Sequence, residues 1–72
     1  MIVVDTSALL HILWEEPDAE ALIDAIAEAE GVLIAAPTRV EGFVTCVRRK
    51  GPADGDAFEA LIAGLQIVTV PF

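Results

Sequence analysis

The chain has 72 residues, twelve acidic and four basic side chains, a net charge of −8 and a single cysteine. This length permits one domain at most, and one cysteine excludes an internal disulfide. So few cations argue against a nucleic-acid binder that relies on charge alone, because such binding neutralises phosphates with Lys and Arg. Acidic side chains can still act on nucleic acid when metal ions bridge them to phosphate oxygens. The charge balance therefore points to metal ions before it points to RNA.

The first residues do not have the pattern of a secretory signal, since they lack a basic n-region and their apolar start is interrupted at Asp5. No apolar run approaches the roughly 18 residues that are needed to cross a bilayer. The sequence therefore predicts a soluble cytoplasmic protein with no membrane partner.

The run Ile2-Val3-Val4 predicts a short strand that is buried on both faces, as central parallel strands are. It stops at Asp5, and the hydroxyl residues Thr6 and Ser7 then favour the start of a helix that continues to about residue 14. A strand that ends in an acid and turns into a helix places that acid at the carboxyl end of a sheet, where open α/β sheets bind ligands. The alternative, equally supported by this stretch, is that Asp5 only caps the helix.

A second helix is expected to open at Glu15-Glu16-Pro17-Asp18 and to end at Gly31. The apolar run 32–35 then predicts the second strand. The apolar stripe expected on this second helix consists of Ala19, Leu22, Ile23 and Ile26, and its solvent face of Glu20, Asp24 and Glu28.

A third helix is expected to begin at Pro37-Thr38 and to end with the cations Arg48-Arg49-Lys50. Cations at a helix C-terminus are explained by the helix dipole alone, and the functional alternative is a small phosphate-contacting patch. The buried stripe expected on this helix consists of Val40, Phe43, Val44 and Val47.

A fourth helix is expected to be capped by Asp54 or Asp56 and to end at Gly64, and residues 66–70 predict the third strand. Helical crossovers between apolar strands indicate a parallel sheet with right-handed connections. The sequence thus predicts an α/β fold with three parallel strands and about four helices.

Glu41 is the one carboxylate inside the apolar third helix. The crossover rules place the start of this helix on the same sheet edge as Asp5, and two converging carboxylates suit Mg²⁺ or Mn²⁺. However, Thr38-Arg39-Val40-Glu41 also matches a capping box, in which the Glu bonds back to the N-cap amide. The spacing alone leaves both roles open.

The motif Ile2-Val3-Val4-Asp5-Thr6-Ser7-Ala8-Leu9, taken with Pro37-Thr38-Arg39-Val40-Glu41, resembles the start of a PIN domain. More narrowly, the chain is similar to the VapC toxins of bacterial toxin–antitoxin pairs, which share a second helix of the type Glu16-Pro17-Asp18-Ala19-Glu20. The resemblance extends over essentially the whole chain. It implies a three-layer PIN-like fold, of which residues 1–72 would be the N-terminal part of a single domain.

The resemblance also implies a function, that of a Mg²⁺- or Mn²⁺-dependent endoribonuclease whose substrate is RNA and whose inhibitor is a VapB-type antitoxin. By correspondence, Asp5 and Glu41 would be two of the family's acidic metal ligands, and Thr6 or Ser7 would be the hydroxyl that helps to orient the first acid. The family's remaining acids belong to a later Gly-Asp-containing segment, which we expect beyond this chain. Without those acids, we expect an ion to be held by too few charges and the activity of the chain alone to be poor.

The family's sheet order implies that the first strand pairs with a strand of the other half. In this chain one edge of Ile2-Val3-Val4 would then be unpaired, and apolar free edges promote association. We expect a homodimer, a partner or the remainder of the chain to cover this edge.

The sequence disfavours two other folds that transfer phosphate with Mg²⁺. Phosphatases of the haloacid dehalogenase type need a second Asp at the position of Ser7, and response-regulator receivers need an acidic pair that is absent here. The remaining alternative is a non-catalytic interaction module, in which an apolar groove binds an antitoxin-like helix. The predicted groove consists of Leu9, Leu10, Leu13, Trp14 and the stripe of the third helix.

Overall fold

The computed structural model describes residues 1–71. In chain order its elements are β1 (Ile2–Val3), α1 (Thr6–Leu13), α2 (Ala19–Glu28), β2 (Val32–Ala35), α3 (Ala36–Lys50), α4 (Pro52–Gly64) and β3 (Val68–Val70). The three strands form one parallel sheet in the order β1-β2-β3, with Ile2 opposite Val32 and Leu33 opposite Val68. The predicted α/β fold and its order of elements are confirmed.

The centre of the sheet is β2, whose Val32 and Ile34 are buried, whereas β1 lies at an edge. The prediction that the first strand is buried on both faces is therefore wrong for Ile2 and Val3, whose exposed fractions are 38% and 63%. The physical reason is that β1 has a single neighbouring strand in the described part of the chain. Only Val4, which follows β1, is buried in the core.

The second helix is shorter than predicted at both ends. Glu15 has a φ of 55°, so α1 ends in a left-handed residue, and α2 begins only at Ala19, after Pro17. The helix ends at Glu28, before Gly31. Its only buried residue is Ile26, since α2 lies at the periphery and packs mainly on α1. The acidic residues on its predicted solvent face are exposed.

The buried stripe predicted for α3 is confirmed in part, because Phe43 packs against the core and Val47 is half-buried. Val40 and Val44 are 63% and 42% exposed, whereas Gly42 and Cys46 are buried. The reason is the close approach of α4: a Cβ atom added to Gly42 would lie 2.4 Å from the Phe58 ring. The ring of a fully buried Phe58 thus fills the space that a side chain at Gly42 would take.

The contact between α3 and α4 is reciprocal, because a glycine of α4 also lies against side chains of α3. A Cβ atom at Gly55 would lie 2.7 Å from Val47 and 2.8 Å from Phe43. Small residues therefore bring the two helices together at two places, while Val40 and Val44 stay exposed outside this contact.

The start of α4 is also different from the prediction. Its N-cap is Gly51 at a φ of 91°, with Pro52 in the first turn, so neither Asp54 nor Asp56 caps the helix. At the other end α4 stops at Gly64 as predicted. Gln66 then has a φ of 55°, and β3 begins only at Val68.

Among residues 1–71, no helix is long and apolar enough to span a bilayer.

Candidate metal centre

A cavity of about 410 Å³ opens where the chain leaves β1 and where α3 begins after β2. The carboxyl ends of parallel strands meet at one edge of a sheet, and both α1 and α3 start at this edge. The residues that line the cavity are Asp5, Thr6, Ser7, Leu10, Thr38 and Glu41. All four residues predicted to form the site therefore lie around one cavity.

Asp5 caps the first helix, and its side chain also lines the cavity. It is the N-cap of α1, and one of its carboxylate oxygens accepts a hydrogen bond from the Ala8 amide at 2.9 Å. This bond fixes the orientation of the carboxylate while the side chain remains exposed at the cavity. Its other oxygen has no hydrogen-bond donor among residues 1–71 and is available to a ligand.

The two hydroxyl residues beside Asp5 differ in their contacts. The Thr6 hydroxyl donates a hydrogen bond to the Thr38 carbonyl at 3.2 Å, so it joins α1 to α3 and does not contact the Asp5 carboxylate. The Ser7 side chain is exposed at the cavity. The backbone amide of Ala8, and not the Thr6 hydroxyl, orients Asp5.

The capping box that competed with a ligand role for Glu41 does not form. The N-cap of α3 is Ala35 with no side-chain cap bond, and Thr38 lies inside the helix, so the prediction of the box is wrong. Within the described part of the chain the Glu41 carboxylate has neither a hydrogen bond nor an ion pair. An exposed carboxylate without a structural partner is free to bind a cation.

The residues present fit a hard divalent cation. Mg²⁺ is usually held by one or two carboxylates, while water and substrate phosphates complete its shell. Asp5 and Glu41 supply two carboxylates, and residues 1–71 contain no cluster of three or more acidic, His or Cys side chains that could hold a metal on their own. The cavity therefore provides a partial, open ligand set.

A second group of contacts lies at the opposite ends of α1 and α3, and the sequence analysis missed it. The Trp14 indole donates a hydrogen bond to the Asp54 carboxylate at 2.9 Å, and the Lys50 ammonium lies 4.9 Å from the centre of the Trp14 ring. Arg49 lies 5.8 Å from the same centre. Trp14 is too far from these residues in the chain for periodicity to relate them. The only signals in the sequence were the single tryptophan and the run of cations at the end of α3.

The predicted apolar groove is not present as such. Leu9 and Leu10 are 0% and 8% exposed and belong to the core, while Leu13 and Trp14 pack against it. The exposed apolar residues on α3 are Val40 and Val44, which lie next to each other on one side of Glu41 on the helix surface.

The chain belongs to the PIN domain family, whose family model matches residues 2–72. Among curated proteins, it is similar to VapC ribonuclease Mb0625 of Mycobacterium bovis, with 33% identity over 70 residues. It is also 33% identical over 70 residues to Ribonuclease VapC28 of Mycobacterium tuberculosis. Each match covers 97% of this chain and 53% of the relative. The chain thus spans about half the length of the curated relatives that it matches.

Proposed function

We propose that the chain is part of a single PIN domain that hydrolyses RNA phosphodiesters with Mg²⁺ or Mn²⁺ at the cavity between α1 and α3. The observation that carries the proposal is that Asp5, the N-cap of α1, and Glu41, in α3, line this one cavity. Neither carboxylate forms an ion pair within residues 1–71. The similarity to proteins named as VapC ribonucleases supports RNA as the substrate.

The residues of the cavity have distinct roles in this proposal. Asp5 and Glu41 hold the cation, and the Ala8 amide keeps Asp5 oriented. When bound, the cation lowers the pKa of a coordinated water and shields the charge of the phosphate. The Ser7 hydroxyl, which lines the cavity, offers a hydrogen bond to a phosphate oxygen.

The helix geometry also favours an anionic substrate. Both α1 and α3 begin at the cavity, so the positive ends of their dipoles lie on its side. Their first amides can offset part of the negative charge that the two carboxylates bring and can attract phosphate. The cavity can therefore hold a cation and a phosphate side by side.

The proposal includes partners and location. We propose that a VapB-type antitoxin neutralises the nuclease in the cytoplasm, as the similarity to VapC proteins suggests. Val40 and Val44 supply an exposed apolar surface beside Glu41, so a bound segment that covers them would also block the cavity. A further strand, from a second copy or from a longer chain, would cover the free edge of β1.

The experiment that tests the metal site is a calorimetric titration of the protein with Mn²⁺. Asp5→Asn and Glu41→Gln each remove one charge with little change in shape. Each is expected to weaken Mn²⁺ binding by at least about tenfold, because losing a residue that only supports a metal ligand already costs about that much. Asp24→Asn on the exposed face of α2 makes the same charge change away from the cavity and is the matched control.

RNA cleavage is then assayed with the same variants on a single-stranded oligoribonucleotide with and without Mn²⁺. Asp5→Asn and Glu41→Gln are expected to abolish cleavage, and Asp24→Asn to leave it unchanged. Equal Mn²⁺ affinity in all four proteins would refute the metal site. If antitoxin binding is the sole function, Asp5→Asn will leave antitoxin affinity and Mn²⁺ affinity unchanged.

A further inference from the structure

Most of the cationic side chains of this acidic chain are concentrated at one place. Of four Lys and Arg residues, three are Arg48, Arg49 and Lys50, at the end of α3. The fourth, Arg39, already has partners, because it bonds at the surface to Glu59 of α4 and to the Thr69 hydroxyl of β3. The three terminal cations are exposed and have no ion-pair partner within residues 1–71. Any attraction for phosphate by side-chain cations is therefore localised at this end of α3.

The helix dipole accounts for cations at this position but not for the way in which they are held. The ring of Trp14 is fixed by its hydrogen bond to Asp54, and Arg49 and Lys50 both lie on that ring at cation–π distance. An aromatic platform restricts these long side chains before any ligand binds, which lowers the entropy cost of binding. The arrangement is that of a preorganised cationic patch.

Arg48 is the cation of the patch that is aligned with the cavity, and Arg49 and Lys50 follow it at the end of α3. Helices α1 and α3 run in the same direction, because Thr6 bonds to Thr38 at their starts and Trp14 meets Lys50 at their ends. Glu41 and Arg48 are two helical turns apart on the same outer face, a separation of about 10 Å at 1.5 Å per residue. One extended strand of nucleic acid can thus contact both places.

We propose that Arg48, Arg49 and Lys50 bind the phosphate backbone of single-stranded RNA and so position the strand for the carboxylate cavity. This inference rests on the proposed RNA substrate, and the patch acts in binding and positioning, not in the chemical step. Because the contacts are to phosphates, they add affinity without base specificity. Glu15 and Glu16 follow Trp14 in the sequence, so the affinity will be modest and best measured at low salt.

The test is the binding of a fluorescein-labelled, mixed-sequence single-stranded oligoribonucleotide to the full chain in EDTA, which prevents metal-dependent cleavage. The triple variant R48Q/R49Q/K50Q is expected to lower the salt dependence of binding, log Kd against log salt, by about 2, since each phosphate contact on a single strand contributes about 0.7. Arg48→Gln alone is expected to weaken binding several-fold. Its matched control is Ala21→Glu, which makes the same change in net charge on the exposed face of α2.

Trp14, the only tryptophan of the chain, gives a second readout at the patch itself. RNA is expected to change its fluorescence in the wild type and in Asp5→Asn, but not in the triple variant. The inference is overturned if the triple variant binds RNA with unchanged affinity and salt slope, or if RNA binds without affecting Trp14. It is also overturned if a polyglutamate peptide competes as well as unlabelled RNA, because the patch would then suit an acidic protein segment.

These outcomes separate this inference from the proposed function. Patch-dependent RNA binding together with Mn²⁺ affinity that is unchanged in Asp5→Asn and Glu41→Gln would refute the metal site and leave the patch. Cleavage that depends on Asp5 and Glu41 but whose KM is unchanged in the triple variant would refute the patch and leave the nuclease.

Discussion

Thr6 and Thr38 join the starts of α1 and α3 through one hydrogen bond, in which the Thr6 hydroxyl donates to the Thr38 carbonyl at 3.2 Å. This bond lies beside the cavity that Asp5 and Glu41 share. The two carboxylates are on different helices, so their separation depends on how firmly these helix starts are held together. A bond that contacts neither carboxylate therefore helps to set the geometry of the proposed metal site.

Replacing Thr6 by Val removes this bond and retains a branched side chain. The free energy of unfolding is expected to fall by about 1 kcal/mol, the usual net contribution of one intramolecular hydrogen bond. Mn²⁺ affinity is expected to fall as well, although no ligand is lost. Urea denaturation and calorimetry measure the two effects, with Ser7→Ala as the control for losing a hydroxyl at the cavity. Mn²⁺ affinity equal to that of wild type would show that the bond is structural only.

The close contact between α3 and α4 predicts opposite effects of two Gly→Ala substitutions. At Gly42 the new Cβ would lie 2.4 Å from Phe58, so overpacking is expected to lower stability by about 1–3 kcal/mol. At Gly64 nothing lies within 4 Å, so alanine is expected to raise stability by about 0.4–1 kcal/mol through the unfolded state. Denaturant titrations of both variants provide the measurement. A Gly42→Ala protein as stable as Gly64→Ala would mean that the two helices are further apart.

The pair formed by His11 and Asp18 predicts a pH-dependent contribution to stability. The His11 Nδ1 atom lies 3.0 Å and 3.1 Å from the two Asp18 carboxylate oxygens. This hydrogen bond raises the pKa of His11 above its usual 6.5 and lowers the pKa of Asp18 below its usual 3.8. The histidine contribution is present below pH 6.5 and is lost as pH rises through the raised pKa of the folded state. The aspartate contribution is lost as pH falls through the lowered pKa.

The stabilisation by this pair is therefore expected to be largest between the two ordinary pKa values, 3.8 for Asp18 and 6.5 for His11, and to decline outside this range. His11→Gln should be less stable than wild type at about pH 5.5, and the difference should shrink at about pH 8.5, where histidine is neutral. Thermal denaturation at both pH values checks this, with Asp24→Asn as a control that leaves the pair intact. A difference that grows with pH would contradict the assignment.

Cys46 is expected to be unreactive in the folded protein. Its side chain is fully buried in α3, and burial, assisted by the nearby Asp54 carboxylate, raises the pKa of the thiol to about 11. Iodoacetamide reacts with the thiolate, so alkylation at about pH 8 should be slow in buffer and fast in denaturing urea. Mass spectrometry of the intact chain follows the modification. Rapid alkylation without denaturant would show that α3 opens locally at Cys46.

The order of elements could be predicted from the sequence because apolar runs and helical spacing alternate clearly along the chain. The predicted β2, at residues 32–35, has the bounds observed. Val40 and Val44 were wrongly predicted to be buried because hydrophobicity ranks them above Gly42, whereas space for the Phe58 ring decides which face of α3 packs. Single-sequence periodicity does not contain that information.

The cavity was predictable in part, since an acid after a strand and an acid early in the next αβ unit lie on one sheet edge by topology. The contacts of their neighbours were not. The sequence shows that Asp5 and Thr6 are adjacent, but not that one bonds within α1 while the other bonds to α3. Likewise, Asp54 was predicted as a helix cap, and its carboxylate instead accepts a hydrogen bond from the Trp14 indole.

The difference in how Asp5 and Glu41 are held has a consequence for selectivity among ions. The backbone at Glu41 is held beside the contact between Gly42 and Phe58, but the exposed Glu41 carboxylate has no hydrogen bond within residues 1–71 and can change rotamer. The Asp5 carboxylate, by contrast, is oriented by the Ala8 amide. In the proposed metal site, Asp5 would therefore be the fixed ligand, and adaptation to cations of different radius would fall to the Glu41 side chain.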